Sequence, residues 1–201
     1  MLACRRTGPT TAPATVVLAH GAGAGMDHPF LIAVADGLAA AGLAVLRFDF
    51  PYRSDGRKVP DRWPVLQAAM REAAAMAAPG PVVLAGKSMG GRVATTLADE
   101  LGALAVVVFG YPFHPPKEPQ RLRTEHLATL RTPTLILQGE RDEFGTRDEV
   151  AAYTLAPSIT VQWFADGDHS LVPRVRSGHT KAGHLATAID SAALFVARHV
   201  R

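Results

Sequence analysis

The chain has 201 residues, of which 48% are hydrophobic and 19% are charged. This length fits one folded domain over residues 1–201, and the composition excludes a disordered chain. The net charge is +3, but the lysines and arginines are scattered and lack interleaved aromatic residues, so nucleic-acid binding is not predicted. The single cysteine, Cys4, excludes a disulfide within the chain.

The amino-terminal residues do not resemble an export signal. Arg5 and Arg6 are followed by a polar stretch that contains proline, where an export signal has a long apolar run. The first apolar run, Thr15–Ala19, is far shorter than the roughly 20 residues that a membrane span requires. We therefore expect a cytoplasmic protein that does not bind a membrane.

Short apolar runs alternate with longer stretches of helical period. In chain order the predicted strands are Thr15–Ala19, Ala44–Phe48, Val82–Ala85, Ala105–Phe109, Thr134–Leu137 and Thr160–Phe164. The predicted helices open at Pro29, Asp61, Ser88, Thr146 and about Lys181, and the first ends near Gly42. Because the strands are apolar on both faces, we expect a doubly wound, mostly parallel α/β sheet of about six strands. Ligands of such sheets bind outside the carboxyl ends of the strands.

The strongest motif for chemistry runs from Gly86 to Gly91 and reads GKSMGG. It follows a predicted strand and opens a predicted helix, which is the setting of a G-x-S-x-G nucleophile elbow. A serine in this turn has a strained backbone, and glycines two residues away on either side leave room for strand and helix to meet. A phosphate-binding loop has a different spacing. Ser88 is therefore the candidate nucleophile.

A serine nucleophile needs a base, and the base needs a carboxylate that orients it. Asp142 lies just past the predicted strand Thr134–Leu137, and His169 lies just past Thr160–Phe164. The order nucleophile, acid, histidine occurs in triads on α/β sheets. Because parallel strands end at one edge of the sheet, we predict that Ser88, Asp142 and His169 form a catalytic triad.

Other acidic residues and histidines lie near the predicted triad. Glu140 comes earlier in the same turn as the predicted acid and stays open as the alternative. Asp168 adjoins the predicted base and is too close in sequence to face its ring easily. His179 and His184, near the start of the last helix, are expected at the surface.

Acyl transfer also needs backbone amides that bind the developing oxyanion. The candidates are the amide of Met89, directly after the nucleophile, and that of Ala22, in the glycine-rich loop from His20 to Gly25. This loop departs from the dinucleotide-binding fingerprint, because Met26 stands where a glycine or alanine is required. We expect His20 to hold the loop through hydrogen bonds. No cofactor and no metal site is predicted, because the sequence has no HxxxH pair and no CxxC.

Candidate substrate contacts surround the same edge of the sheet. Tyr111 and His114 belong to the proline-rich segment Gly110–Gln120, and His114 either lines the pocket or caps the turn. Lys87 adjoins the nucleophile. Four basic residues have two interpretations: they attract an anionic substrate, or they are ordinary charged residues of the surface. They are Arg53, Arg57, Lys58 and Lys87.

These motifs resemble the α/β-hydrolase superfamily, in particular its small dienelactone-hydrolase-like members. The resemblance covers nearly the whole chain and rests on segments 18–25, 48–52, 86–92, 110–116, 137–142 and 167–170. The chain is also similar to the hydrolase-like domain of a chromatin-complex regulatory subunit and of its testis-expressed relative. The resemblance implies a minimal α/β-hydrolase fold without a cap domain, and few residues precede Thr15–Ala19 to supply the first strands of the full superfamily sheet. Dienelactone hydrolases have a cysteine nucleophile where this chain has Ser88.

The residues and the resemblance together predict a serine hydrolase. It would cleave a carboxylic ester bond of a small molecule through an acyl-enzyme intermediate. Thioester or peptide hydrolysis, and acyl transfer to an acceptor other than water, use the same triad and stay open. A non-catalytic, hydrolase-like interaction module is the alternative from another class. The sequence predicts no oligomeric state.

Overall fold

Seven strands form one sheet in the computed structural model, which describes residues 2–200. They are β1 (Cys4–Thr7), β2 (Thr15–Ala19), β3 (Ala44–Phe48), β4 (Val82–Lys87), β5 (Ala105–Phe109), β6 (Thr134–Gly139) and β7 (Ile159–Phe164). Their order across the sheet is β1-β3-β2-β4-β5-β6-β7, and β2 to β7 run parallel. The predicted doubly wound, mostly parallel sheet is confirmed. Its order reverses between β2 and β4, and ligands bind at such switch points.

The first strand is a correction to the predicted count of about six. β1 pairs antiparallel with β3, with Cys4 opposite Phe48 and Thr7 opposite Val45. Two consecutive arginines, Arg5 and Arg6, remove the apolar signal by which a strand is recognised in sequence. An edge strand needs a partner on one side only, so backbone pairing with β3 is enough to hold it.

Helices cover both faces of the sheet. Within residues 2–200 the α-helices are α1 (Pro29–Ala40), α2 (Pro51–Ser54), α3 (Trp63–Ala77), α4 (Met89–Leu97), α5 (Arg147–Ala151) and α6 (Lys181–His199). All five predicted helices are present, and α2 is an additional single turn. It was missed because one turn is too short to show a helical period. None of the helices in residues 2–200 has the length and apolarity needed to cross a membrane.

The core consists of two layers, one on each face of the sheet. Val17 of β2 packs in the layer that includes α3 and α4, whereas its neighbours Val16 and Leu18 pack in the layer that includes α1 and α6. Successive side chains of a strand point to opposite faces, so strands covered on both sides are continuously apolar. This arrangement explains the unbroken apolar runs of the central strands.

The segment between β5 and β6 contains no cap domain. Residues 110–133 hold one short 3₁₀ helix, Glu125–Ala128, and otherwise follow an irregular path. The fold is therefore the small, capless form that the sequence predicts.

His184 is buried, and the expectation that it lies at the surface is wrong. Its side chain is on the inner face of α6, where Nδ1–H donates to the Leu171 carbonyl at 2.9 Å and the ring packs edge-on against Phe164. It lies one helical turn before Ala188, which is fully buried. His179 is exposed, as expected.

Candidate active site

A sharp turn between β4 and α4 presents Ser88 at the carboxyl edge of the sheet. Ser88 has φ 51° and ψ −114°, a backbone conformation that residues other than glycine rarely adopt. A Cβ on Gly86 would lie 2.3 Å from the carbonyl carbon of Gly90, and a Cβ on Gly91 would lie 2.3 Å from Val108 Cγ1. The glycines around Ser88 are therefore required by the close approach of strand and helix, as the motif predicts.

Three side chains from three strand ends form a continuous hydrogen-bonded chain. His169 Nε2 is 2.8 Å from Ser88 Oγ, and His169 Nδ1 is 2.7 Å from Asp142 Oδ2. A carboxylate only accepts hydrogen bonds, so Nδ1–H donates to Asp142 and Nε2 is left to accept from the serine hydroxyl. This tautomer is the one that allows His169 to take the proton of Ser88.

Asp142 is completely buried and is held by two donors. Gln138 Nε2 donates to Oδ2 at 2.8 Å, and the Phe144 amide donates to Oδ1 at 2.9 Å. Glu140 turns away to accept from Arg147 at 2.9 Å, so it is not hydrogen-bonded to the histidine. Gln138 was not predicted as a site residue. A glutamine at the end of an otherwise apolar buried strand is the signal that could have revealed it.

The His169 ring is enclosed by neighbours from other loops. The Phe144 ring lies with its centroid 4.3 Å away, and Lys87 Nζ donates to the His169 carbonyl at 2.7 Å. Burial lowers the pKa of His169; the hydrogen bond to Asp142 opposes this effect, and the nearby charge of Lys87 adds to it. Burial also lowers the pKa of Lys87 to about 8. A lowered pKa keeps the imidazole neutral near pH 7, as a general base requires.

The loop after β2 lies against the serine turn. An added Cβ on Gly21 would be 3.5 Å from Ser88 Cβ, and Ala22 and Met89 both line the cavity beside Ser88. Within residues 2–200 neither the Ala22 nor the Met89 amide donates to another protein group. Both amides are therefore free to bind an oxygen atom in this cavity.

His20 forms hydrogen bonds that hold the loop after β2, as the sequence predicts. It is fully buried, and its Nε2 accepts from the Phe50 amide at 3.1 Å. The other ring nitrogen, Nδ1, therefore carries the proton and donates to the Gly21 carbonyl at 2.8 Å. Burial lowers the pKa of His20. The neutral ring thus ties the loop after β2 to the loop after β3.

A cavity of about 1010 Å³ opens beside the serine. Ser88 and His169 lie on its wall. Much of the remaining lining is apolar and comes from four helices and three loops: Pro29, Phe30, Leu31, Trp63, Leu66, Met89, Pro112, Phe144, Val172 and Leu185. A cavity of this size and character accommodates a small organic molecule.

Two of the predicted substrate contacts are wrong. Tyr111 and His114 are buried and do not line the cavity: Tyr111 donates through its hydroxyl to the Arg123 carbonyl, and His114 Nδ1 donates to the Pro115 carbonyl. Both side chains turn inward, and these polar atoms bond within the protein. Lys87 does line the cavity, with its ammonium directed to the His169 carbonyl.

The basic residues considered for an anionic substrate do not line the cavity either, apart from Lys87. Arg57 pairs with Asp55 and Asp61, and Lys58 is exposed. The arginines that do line the cavity are Arg92 and Arg123, which the sequence did not reveal because they come from distant segments.

A family model described as an alpha/beta hydrolase domain matches residues 12–197. The chain belongs to the α/β-hydrolase family. Membership in this family, together with the predicted elbow motif, supports a hydrolase activity.

Solved structures of similar fold cover nearly the whole chain. Dienelactone hydrolase from Anabaena variabilis has 24% sequence identity and a TM-score of 0.76, over 100% of this chain and 93% of that one. An α/β serine hydrolase without a lid from Xanthomonas campestris has 19% identity and a TM-score of 0.70, over 100% and 88%. Est1E from Butyrivibrio proteoclasticus has 14% identity and a TM-score of 0.74, over 98% and 93%. At these identities the likeness concerns the fold.

Proposed function

We propose that the protein is a serine hydrolase that cleaves a carboxylic ester through a Ser88–His169–Asp142 triad. The observation that carries this proposal is the chain of two short hydrogen bonds from Asp142 through His169 to Ser88, on the wall of a cavity that accommodates a small molecule. The matching strand-end positions of the three residues support it further.

In the first step the Ser88 hydroxyl attacks the ester carbonyl. His169 Nε2 takes the hydroxyl proton, the carbonyl oxygen becomes an oxyanion, and the imidazolium is stabilised by Asp142. When the tetrahedral intermediate collapses, His169 returns the proton to the departing alkoxide. The products of this step are the free alcohol and an ester between Ser88 and the acyl group.

In the second step water replaces the alcohol. His169 takes a proton from the water, the resulting hydroxide attacks the acyl carbonyl, and the serine oxygen leaves with that proton. The acid is released and Ser88 is restored. The free amides of Met89 and Ala22 would bind the oxyanion in both steps, and one such donor contributes on the order of 10²–10³ in kcat in other serine hydrolases.

Fluorophosphonate labelling tests the proposal, because the reagent phosphonylates only an activated serine. We expect wild-type protein to be labelled and to hydrolyse p-nitrophenyl butyrate, and Ser88→Ala to do neither, with a loss of about 10⁴-fold or more in rate. Ser170→Ala, a substitution of the other serine on the cavity wall, is the matched control and should keep the label.

Two results would contradict the proposal. Labelling that persists in Ser88→Ala places the nucleophile elsewhere. Folded wild-type protein that is neither labelled nor active would favour the non-catalytic interaction module. Parallel assays with the butyryl thioester and the butyryl anilide then rank ester, thioester and amide cleavage, which the same triad supports.

A further inference from the structure

Two arginines on the cavity wall are not paired with acidic groups. Arg92 belongs to α4, and Arg123 to the loop between β5 and β6. Both are half-buried. Within residues 2–200 neither guanidinium forms an ion pair or a hydrogen bond with another group, although many arginines of the chain, such as Arg71 and Arg147, do so.

Arg92 is held in place by an aromatic ring instead of an acid. Its guanidinium carbon lies 4.2 Å from the centroid of the Trp63 ring, a cation–π arrangement. The Nε atom is buried without a hydrogen-bond partner. Burial lowers the pKa of Arg92, although a guanidinium stays charged in proteins. A buried donor without an acceptor is unfavourable, and protein groups therefore leave the charge of Arg92 without a hydrogen-bonding partner.

Arg123 is anchored through its backbone. Its amide donates to the Phe113 carbonyl at 2.7 Å, and its carbonyl accepts from the Tyr111 hydroxyl at 2.8 Å. Burial lowers the pKa of Arg123, and the positive charges of Arg92 and Arg121 lower it further. Arg92 and Arg123 thus both contribute positive charge to the wall of the same cavity.

Within residues 2–200 no acidic group forms an ion pair with Arg92 or Arg123. Glu118 is exposed and pairs with Arg121 at 3.4 Å. His126 has its pKa lowered to about 4 by burial and by the charge of Arg92, so it is neutral near pH 7. Asp61, elsewhere on the cavity wall, pairs with Arg57 and accepts from the Tyr52 amide.

We propose that Arg92 and Arg123 form a subsite that binds a carboxylate or phosphate group carried by the ester substrate. This inference rests on the proposed function for the reacting end of the substrate. Planar guanidiniums bind both anions through paired hydrogen bonds, and an anion in this cavity would offset two positive charges that have no acidic partner. Arg92 lies one helical turn after Ser88, so the anionic group binds close to the reacting carbonyl.

The kinetic test compares two esters of equal chain length, mono-p-nitrophenyl glutarate and p-nitrophenyl pentanoate. Charged hydrogen bonds of this kind predict that the wild type favours the anionic ester in kcat/KM by about tenfold or more. We expect the ratio to fall by about tenfold in Arg92→Gln and in Arg123→Gln. Arg121→Gln, which removes a neighbouring exposed arginine, should keep the wild-type ratio.

A binding test is independent of turnover. Ser88→Ala protein is titrated with glutarate and with inorganic phosphate at low salt, by calorimetry. The same titrations are then made with two double variants, in which Arg92→Gln or Arg121→Gln is combined with Ser88→Ala. We expect Ser88→Ala to bind the anion, the double variant with Arg92→Gln to have lost this binding, and the double variant with Arg121→Gln to keep it. Tighter binding of glutarate identifies a carboxylate as the natural group, and tighter binding of phosphate identifies a phosphate.

The two tests separate the subsite from the proposed reaction. Binding without hydrolysis of either ester would contradict the proposed function and support the subsite. Hydrolysis of both esters without a charge preference, or a preference that survives both Arg92→Gln and Arg123→Gln, would overturn the subsite. Failure of Ser88→Ala to bind either anion would overturn it as well.

Discussion

Ser88 combines a strained backbone with a hydrogen bond to an imidazole. The positive φ directs its hydroxyl out of the turn, where His169 Nε2 lies 2.8 Å away. Strained residues of this kind cluster at functional sites because the surrounding structure must hold them. Here the close contacts around Gly86 and Gly91 hold the turn. The packing of the turn thus holds Ser88 in hydrogen-bonding distance of His169.

Asp142 accepts the hydrogen bond that orients His169, so removing its charge should have a large effect. Asp142→Asn no longer fixes the tautomer in which Nε2 accepts, and we expect kcat to fall by about 10⁴-fold. Turnover of p-nitrophenyl butyrate measures the loss. Glu140→Gln, the matched control in the same turn, should stay close to wild type. A larger loss in Glu140→Gln than in Asp142→Asn would reverse the assignment of the acid.

Lys87 is predicted to shift the pH below which activity falls, in addition to the larger effect of burial on His169. The base must be neutral, so kcat/KM falls as the pH drops below the pKa of His169. The charge of Lys87 lowers that pKa, so Lys87→Met should raise it. The acid limb, the low-pH side of the plot of kcat/KM against pH, then moves to higher pH by about 0.5–1 unit. Lys181→Met, at an exposed lysine of the same cavity, should leave the limb in place. An acid limb that stays fixed in Lys87→Met contradicts this role.

Some site residues could be predicted from the sequence and others could not. Ser88, Asp142 and His169 each follow a predicted strand, and parallel strands bring their carboxyl ends together. Arg92 and Arg123 line the same cavity only because of the path of the irregular segment 110–133, which has no periodic pattern. Tyr111 and His114 were misassigned for the same reason, since sequence does not tell which loop side chains face inward.

Among the helices, α1 and α6 approach closely on one face of the sheet. The contact is at Gly37, where an added Cβ would lie 2.5 Å from Ile189 Cγ2 and 3.1 Å from Ile189 Cδ1. Both contacts involve one side chain and no backbone. The helix spacing is therefore set by a glycine of α1 facing a branched side chain of α6.

This contact predicts that Gly37→Ala changes the free energy of unfolding in opposite directions, depending on the side chain at residue 189. Gly37→Ala alone should lower the free energy of unfolding by about 1–3 kcal/mol, because the methyl group overlaps Ile189. In an Ile189→Ala background the overlap is gone, and the same substitution should raise it by up to about 1 kcal/mol through helix propensity. Urea unfolding of the four proteins measures both effects. Equal effects in the two backgrounds would contradict the close contact.

Elements were predictable where a pattern was long enough. The central strands and α6 have unbroken apolar runs or a clear helical period, whereas β1 and α2 have four residues each. β1 is held by pairing with β3, a contact distant in sequence, and α2 follows Phe50 with Pro51 at its first position. Neither the pairing of β1 nor the proline at the start of α2 produces a periodic pattern of apolar residues in its own segment.

At the scale of the whole fold, no cap domain covers the cavity within residues 2–200. The segment 110–133, between two central strands, holds only the 3₁₀ helix Glu125–Ala128. We expect substrate to enter without the displacement of a lid. Hydrolysis of p-nitrophenyl butyrate should therefore follow simple saturation through its solubility limit, and a sharp rise in rate at that limit would contradict an open, capless site.

Detection of the acyl-enzyme tests the proposed mechanism most directly. A slowly turned-over ester, p-nitrophenyl trimethylacetate, is mixed with the protein, the reaction is quenched in acid, and the peptides are analysed by mass spectrometry. We expect a trimethylacetyl group on Ser88 in the wild type and none in Ser88→Ala. Release of p-nitrophenol by the wild type without acylation of Ser88, or with the acyl group on another residue, would contradict the mechanism.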